Sequence, residues 1–162
     1  MTSNSGKFLL LILPLMSVNT ALYADTIAPF STDGCSAFPD GTPAQPALWR
    51  QCCIAHDLIY WAGGTADDRD AADLELQQCV SDAGEPLIAK LMFAGVRAGG
   101  APYSLMTYRW GYGWHYLRGY APLTEDEKQQ IIDAIDQVTP AQLTPVTPAN
   151  YFTTDGLKTP SN

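Results

Sequence analysis

The sequence has 162 residues and a formal net charge of −8, and 46% of its residues are hydrophobic. That length and apolar content suffice for one domain with its own core. The excess of acidic residues makes nucleic acid an unfavourable partner and gives no general electrostatic attraction to anionic membranes. We therefore expect a single acidic domain with no nucleic-acid partner.

Residues 1–24 have the layout of a secretory signal peptide. One positive charge, Lys7, precedes the apolar run Phe8–Met16, and small and polar residues follow as far as Ala24. The apolar run is about nine residues long, whereas a membrane-spanning helix needs roughly 20. We predict cleavage after Ala24, which would leave 138 residues with a formal charge of −9, in a secreted or periplasmic location.

The chain has four cysteines, and all of them lie in the predicted mature protein: Cys35, Cys52, Cys53 and Cys79. An even number of cysteines in an exported chain predicts disulfide bonds, here two. The spacing lacks the two C-x-x-C pairs of a zinc ribbon. Cys52 and Cys53 are neighbours in a predicted helix, so they cannot easily bridge each other.

Two helices are predicted on either side of a short turn. Residues 25–46 contain four prolines and are predicted to form an ordered loop. Pro46 suits the first position of a helix over 47–62, which a glycine pair ends. Residues 65–68 have the spacing of a capping box, which predicts a second helix over 66–82. Because the connection is short, we expect the two helices to be antiparallel neighbours.

Two further helices complete the predicted domain, which spans 25–138. Pro86 opens a third helix, 87–98, whose apolar residues form a stripe along one side. Thr124 caps a fourth helix that runs to about Val138. The predicted fold class is therefore mainly α.

Two regions do not favour a regular element. The stretch 103–120 is rich in aromatic residues and fits neither a helix nor a strand clearly. We assign its Trp110 and Trp114 to the core or to a groove wall rather than to membrane contact. The Thr/Pro-rich remainder, 139–162, is expected to be a mobile tail.

The segment 52–60, with the sequence CCIAHDLIY, places a histidine next to a carboxylate on the first helix. A neutral imidazole such as His56 can take a proton from water near pH 7, and a carboxylate such as Asp57 can bind a hard cation such as Ca²⁺. His56 and Asp73 lie about 10 Å from the turn along their helices, at 1.5 Å per residue. Spacing therefore predicts a His56–Asp73 dyad, in which the aspartate orients the ring and leaves its other nitrogen as the base.

The pattern Cys-Cys-x-x-His-Asp-x-x-Tyr resembles the active-site helix of secreted, calcium-dependent phospholipase A2. The resemblance covers about 33–80, and prokaryotic members with few cysteines are the nearer model. It implies a core of two antiparallel, disulfide-linked helices with additional helices around them. It also implies hydrolysis of the sn-2 ester of phospholipids, with a phospholipid membrane surface as the substrate and Ca²⁺ as the cofactor.

The resemblance assigns roles to individual residues. It implies the disulfides Cys52–Cys79 and Cys35–Cys53. It supports Asp73 independently, because the family's second aspartate precedes a cysteine by six residues, as Asp73 precedes Cys79. Tyr60 matches the tyrosine that hydrogen-bonds that aspartate in the family.

The implied calcium site combines one side chain with a loop. By position, the ligands are the carboxylate of Asp57 and the backbone carbonyls of Gly34, Ser36 and Phe38. The loop 33–41 departs from the glycine-rich pattern of the family. Its two other acidic residues, Asp33 and Asp40, could add oxygen ligands.

Two other classes of function compete with a hydrolase. A non-catalytic secreted phospholipase A2-like module, binding or toxin-like, is favoured by the altered loop. It is disfavoured by the intact set His56, Asp57, Tyr60 and Asp73. A weaker alternative is an aromatic-lined carbohydrate or cell-wall binder built on 103–120.

Overall fold

The computed structural model of the chain describes residues 25–138 and the backbone of two short strands beyond them. The helices are α1 (Arg50–Ala62), α2 (Ala66–Asp82), α3 (Pro86–Gly99) and α4 (Glu125–Ile135). The strands β1 (Phe152–Thr153) and β2 (Gly156–Leu157) pair antiparallel. The mainly α class predicted from the sequence is confirmed. The predicted signal peptide and the predicted tail, apart from β1 and β2, lie outside the described residues.

Helices α1 and α2 form the expected antiparallel pair. The predicted capping box is present: Asp68 N donates to Thr65 Oγ1 over 3.1 Å, and Thr65 N donates to Asp68 Oδ2 over 2.8 Å. Gly63 in the turn has φ +69°, a conformation that favours glycine. Because the Cys52–Cys79 disulfide joins the start of α1 to the end of α2, the two helices run in opposite directions.

Helix α1 begins at Arg50 rather than directly after Pro46, so the predicted start was too early. The residues between Pro46 and Arg50 do not form a helical turn, because Trp49 is bonded to the preceding loop. Trp49 N donates to the carbonyl of Asp40 over 3.0 Å, and its indole Nε1 donates to the carbonyl of Pro39 over 2.6 Å. These bonds and the burial of the indole fix Trp49 in a non-helical conformation at the N-cap.

The aromatic segment 103–120 runs in turns and completes the C-terminal end of α1. The last carbonyls of a helix have no partner within the helix. Here Gly111 N donates to Tyr60 O over 2.6 Å, and Gly113 N donates to Trp61 O over 3.1 Å. The indole of Trp114 donates to Ala62 O over 2.7 Å. The segment is therefore part of the core structure.

Most of α1 is buried, so the rest of the chain packs around it. One side of α1 contacts the segment before it, Trp114 and α4; this cluster comprises Ile27, Phe30, Ile54, Leu58, Trp61, Ala62, Trp114, Ile131 and Ile135. The other side joins the disulfides to α2 and α3 through Cys35, Trp49, Cys52, Cys53, Leu76, Val80, Ala89 and Met92. Trp110 and Trp114 are both buried, which confirms their assignment to the core.

Helix α3 buries only part of its predicted apolar stripe. Ala89 and Met92 are buried against the disulfide cluster, whereas the side chains of Leu87 and Leu91 are 79% and 58% exposed. Pro86 occupies the first turn of the helix, as predicted. The apolar surface of α3 therefore extends from the core to the outside of the molecule.

The two disulfides are Cys35–Cys53 and Cys52–Cys79, the pairing that the resemblance implied. They close loops of 18 and 27 residues, for which chain entropy predicts roughly 3 kcal/mol of stabilisation each. Such bonds indicate an oxidising compartment outside the cytoplasm. Within the described part of the chain, no helix is long and apolar enough to cross a membrane.

Candidate active site

His56 and Asp73 are brought together across the α1–α2 interface, as their spacing predicted. The ring nitrogen His56 Nε2 lies 2.9 Å from Asp73 Oδ1. Tyr60, one turn after His56, donates its hydroxyl to the same oxygen over 2.7 Å. The rings of His56 and Tyr60 also stack on each other, with centroids 4.1 Å apart and an angle of 35° between the ring planes. All three side chains are buried, so their geometry is fixed by packing as well as by hydrogen bonds.

Asp73 is fully buried and nevertheless stays ionised. Burial by itself would raise the pKa of its carboxyl group. Hydrogen bonds from His56, Tyr60 and Arg97 outweigh that effect and hold the pKa below its usual range. Burial and the neighbouring Asp73 charge raise the pKa of Tyr60, so this hydroxyl remains protonated and acts as a donor. With Asp73 as a carboxylate, the proton in the His56–Asp73 bond belongs to Nε2, which leaves Nδ1 with its lone pair.

Asp57 lies beside the dyad, in the wall of the same cavity. Its Oδ2 accepts a hydrogen bond of 2.6 Å from Thr32 Oγ1. Burial raises the pKa of Asp57 to about 8; the Thr32 hydrogen bond opposes this shift and the nearby charge of Asp33 adds to it. Asp33 also lines the cavity, and among the lining residues there is no lysine or arginine. The cavity lining therefore contains one buried and one exposed carboxylate, Asp57 and Asp33, and no positive side chain that would balance them.

The loop that was expected to supply carbonyl ligands is held by Asp40. Asp40 Oδ1 accepts a hydrogen bond of 2.8 Å from Cys35 N, and Oδ2 pairs with Arg50 Nε at 3.1 Å. Asp40 is therefore not free to add an oxygen ligand. A Cβ at Gly34, where φ is +83°, would collide with the Asp40 carboxylate, so glycine is required there.

The three expected carbonyl ligands do not share one environment. Ser36 and Phe38 line the cavity together with Asp57, whereas Gly34 is not among the lining residues. Phe38 N donates to the carbonyl of Cys35 over 2.8 Å in a tight turn of the loop. Of the expected loop residues, Ser36 and Phe38 therefore line the same cavity as Asp57, together with Asp33. Among residues 25–138, no group of three or more histidine, cysteine or acidic side chains is arranged so that it could hold a metal ion through side chains alone.

The cavity itself has a volume of about 520 Å³, within the usual range for sites that bind small molecules. His56, Asp57 and Tyr60 are among its polar lining residues. The remaining wall is mostly apolar and comes from α2, α3 and the aromatic segment: Leu76, Leu91, Met92, Val96 and Met106. Leu91 and Met106 are also exposed, so they lie where the cavity opens to the outside.

Three residues of the site were not found from the sequence. Thr32 binds Asp57, and two arginines, Arg69 and Arg97, surround Asp73. Arg69 lies four residues before Asp73, a spacing that brings side chains together on a helix and could have indicated the pair. Arg97 gave no such signal, because a basic residue in the last turn of a helix is expected from the helix dipole alone.

No family model matches the sequence, and neither the curated proteins nor the solved structures include one that matches it. Function is therefore inferred from the chemistry of the site and from the motif in 52–60.

Proposed function

We propose that this chain is a secreted or periplasmic, calcium-dependent hydrolase of the phospholipase A2 type, which releases the fatty acid from the sn-2 position of phospholipids. The observation that carries the proposal is the buried, hydrogen-bonded group His56, Asp73 and Tyr60, whose His56 and Tyr60 line a mostly apolar cavity together with Asp57. A scaffold without catalytic function has no need for an oriented base in such a place.

His56 acts as the general base. Asp73 holds the proton on Nε2, so Nδ1 can accept a proton from a water molecule in the cavity. That water attacks the ester carbonyl directly, and no covalent intermediate on the protein is needed. Asp73 stabilises the imidazolium that forms, and the Tyr60 hydroxyl keeps the carboxylate aligned. The same proton then goes from His56 to the departing alcohol.

Asp57 would hold Ca²⁺ together with oxygen atoms of the loop. Asp57 is buried and Asp33 is exposed, and both line a cavity that has no positive side chain in its lining. Such carboxylates fit a divalent cation, and Ca²⁺ takes carboxylate and backbone carbonyl oxygens as ligands. When bound, the cation supplies a Lewis acid that polarises the ester carbonyl and stabilises the oxyanion. Ser36 and Phe38 are the expected loop residues that line the same cavity as Asp57.

The apolar wall of the cavity supports a lipid substrate. Leu76, Met92 and Val96 offer an acyl chain an environment free of charge. The chain as a whole is acidic and should not be attracted to anionic membranes by its charge. The exposed Leu91 and Met106 instead provide apolar contact at the cavity mouth.

The direct test is an assay of fatty-acid release from mixed phospholipid vesicles, labelled separately in the sn-1 and sn-2 chains. We expect release of the sn-2 chain with Ca²⁺ and loss of release after addition of a chelator. Vesicle binding without any release would favour the non-catalytic module. Release that persists in excess chelator would contradict the calcium-dependent mechanism.

The substitution Leu91→Glu should reduce hydrolysis of vesicles about tenfold, because a charge at the cavity mouth must be desolvated when the lipid surface is contacted. Hydrolysis of a short-chain, monomeric phospholipid should change much less. Leu74→Glu is the matched control, because Leu74 and Leu91 are exposed leucines of helices, 56% and 58% exposed, and Leu74 does not line the cavity. Equal effects of both substitutions on vesicle hydrolysis would contradict the assignment.

A further inference from the structure

Asp73 has more partners than an orienting aspartate requires. Its Oδ1 is shared by His56 and Tyr60. Its Oδ2 accepts a hydrogen bond of 2.9 Å from Arg97 Nη1, and Arg69 Nε lies 3.8 Å from the same oxygen. Each carboxylate oxygen therefore faces its own set of donors, and the plane of the carboxylate is fixed from both sides.

Arg69 is buried and has a structural role. Its Nη2 donates to the carbonyls of Val96 and Arg97 over 2.7 and 3.0 Å, in the last turn of α3. Its Nε donates to the Tyr60 hydroxyl over 2.9 Å, and its Nη1 to the Tyr120 hydroxyl over 2.8 Å. Because these bonds use most of its donors, Arg69 ties α2, α3 and the aromatic segment together and contacts Asp73 only weakly.

Arg97 occupies a different position. Its side chain is 35% exposed, and its Nη1 lies between Asp73 Oδ2 and Asp70 Oδ1, at 2.9 and 2.5 Å. Arg97 is thus the closer of the two arginines to Asp73 Oδ2. It lies near the end of α3, the helix that also contributes to the cavity wall. It lies outside the cavity lining, so it does not contact a substrate there.

We propose that Arg97 is a positioning residue for the base: by binding Oδ2 it keeps Oδ1 aimed at His56 Nε2, and it thereby determines which nitrogen of His56 carries the proton. Without Arg97, a fully buried carboxylate oxygen would lose its donor, which is costly. The carboxyl group would then rotate toward Arg69 or bind a proton. A protonated Asp73 would donate to Nε2, the proton of the ring would move to Nδ1, and the base would be lost. The effect on rate rests on the proposed function; the effect on the imidazole does not.

The test is the tautomer of His56, read from ¹⁵N shifts of the imidazole in labelled protein. The chain has only two histidines, so His115 is an internal reference. In the wild type, the neutral imidazole of His56 should carry its proton on Nε2. Arg97→Met keeps the apolar stem and removes every donor. We expect it to give a mixture of tautomers and a kcat lower by up to roughly 10²-fold, the scale of a misplaced catalytic group, with little change in KM.

Two further variants separate positioning from general stability. Arg97→Lys keeps a cationic donor and should restore most of the Nε2–H form and of kcat. Asp70→Asn removes the other partner of Arg97 and leaves Asp73 untouched, so tautomer and kcat should stay as in the wild type. An unchanged tautomer in folded Arg97→Met protein would overturn the proposal, and so would equal changes in Arg97→Met and Asp70→Asn. If Arg97→Met shifts the tautomer of His56 but the wild-type protein hydrolyses no phospholipid, the proposed function is refuted and the positioning role remains.

Discussion

The substitution His56→Gln should abolish ester hydrolysis while the protein remains folded. The amide of glutamine can still donate a hydrogen bond to Asp73, so the buried carboxylate keeps a partner. An amide is not a base near pH 7, so the proton of the attacking water has no acceptor. We expect kcat to fall by at least ~10²-fold, the usual scale of general-base catalysis.

The control for this prediction is the other histidine. His115 is exposed and bonds to the carbonyl of Tyr116, far in sequence from the dyad, so His115→Gln should leave the rate unchanged. Both variants should be compared by thermal unfolding, to establish that each is folded at the assay temperature. Normal turnover by folded His56→Gln protein would remove His56 from the mechanism.

The sequence predicts the α1–α2 pair well because its signals are local. Both ends of the connection are determined by neighbours in the chain: glycine at Gly63, and the reciprocal Thr65 and Asp68 bonds. The same holds for the capping box of Thr124 that begins α4. The position of the dyad then follows from helix geometry, since a rise of 1.5 Å per residue fixes which side chains face each other.

The start of α1 and the shape of 103–120 could not be predicted, because both depend on distant contacts. Trp49 is held by the carbonyls of Pro39 and Asp40, and these bonds outweigh the preference of Pro46 for a first helical turn. The aromatic segment follows the end of α1, where its backbone donates to the last carbonyls of that helix. Neither interaction leaves a periodic pattern in the sequence.

The candidate site divides in the same way. His56, Asp57 and Tyr60 lie within one short segment of α1, so a short sequence motif is enough to identify them. Arg97 reaches Asp73 from a different helix, and its meaning depends on how α3 packs against α2. The loop is intermediate: the sequence shows that glycines are missing from it, and only the structure shows that Asp40 holds it by binding Cys35 N.

Calcium binding should depend on pH because Asp57 must be ionised to act as a ligand. Its pKa is raised to about 8 in the protein without bound cation. Below that pH, Ca²⁺ must displace a proton, so affinity should fall by up to roughly tenfold per pH unit between about pH 8 and pH 6. Titration calorimetry in two buffers with different ionisation enthalpies should detect the released proton. A calcium affinity that is the same at about pH 6 and about pH 8 would contradict a role for the Asp57 carboxylate.

The same raised pKa makes the folded protein without calcium less stable as pH rises. Between about pH 4 and pH 8, the folded state keeps a proton on Asp57 that the unfolded chain has released, so the free energy of unfolding decreases through this range. In the Asp57→Asn variant the side chain at this position cannot ionise, so its free energy of unfolding should decrease less over the same pH range. Asp82→Asn, at an exposed carboxylate at the end of α2, should follow the wild type. Thermal unfolding across this range, with chelator present, measures the difference.

Addition of calcium should reverse that loss of stability in the wild type and not in Asp57→Asn. We expect a dissociation constant on the order of 10⁻⁴–10⁻³ M, because few carboxylates contribute and the loop lacks the glycines that would let its backbone adapt to the cation. At 10 mM Ca²⁺ this corresponds to roughly 1.4–2.7 kcal/mol of added stability near pH 8. Asp57→Asn should gain almost nothing and should hydrolyse no phospholipid at any calcium concentration tested. Equal stabilisation of both proteins by Ca²⁺ would place the cation elsewhere, and the catalytic role of Asp57 would have to be abandoned with it.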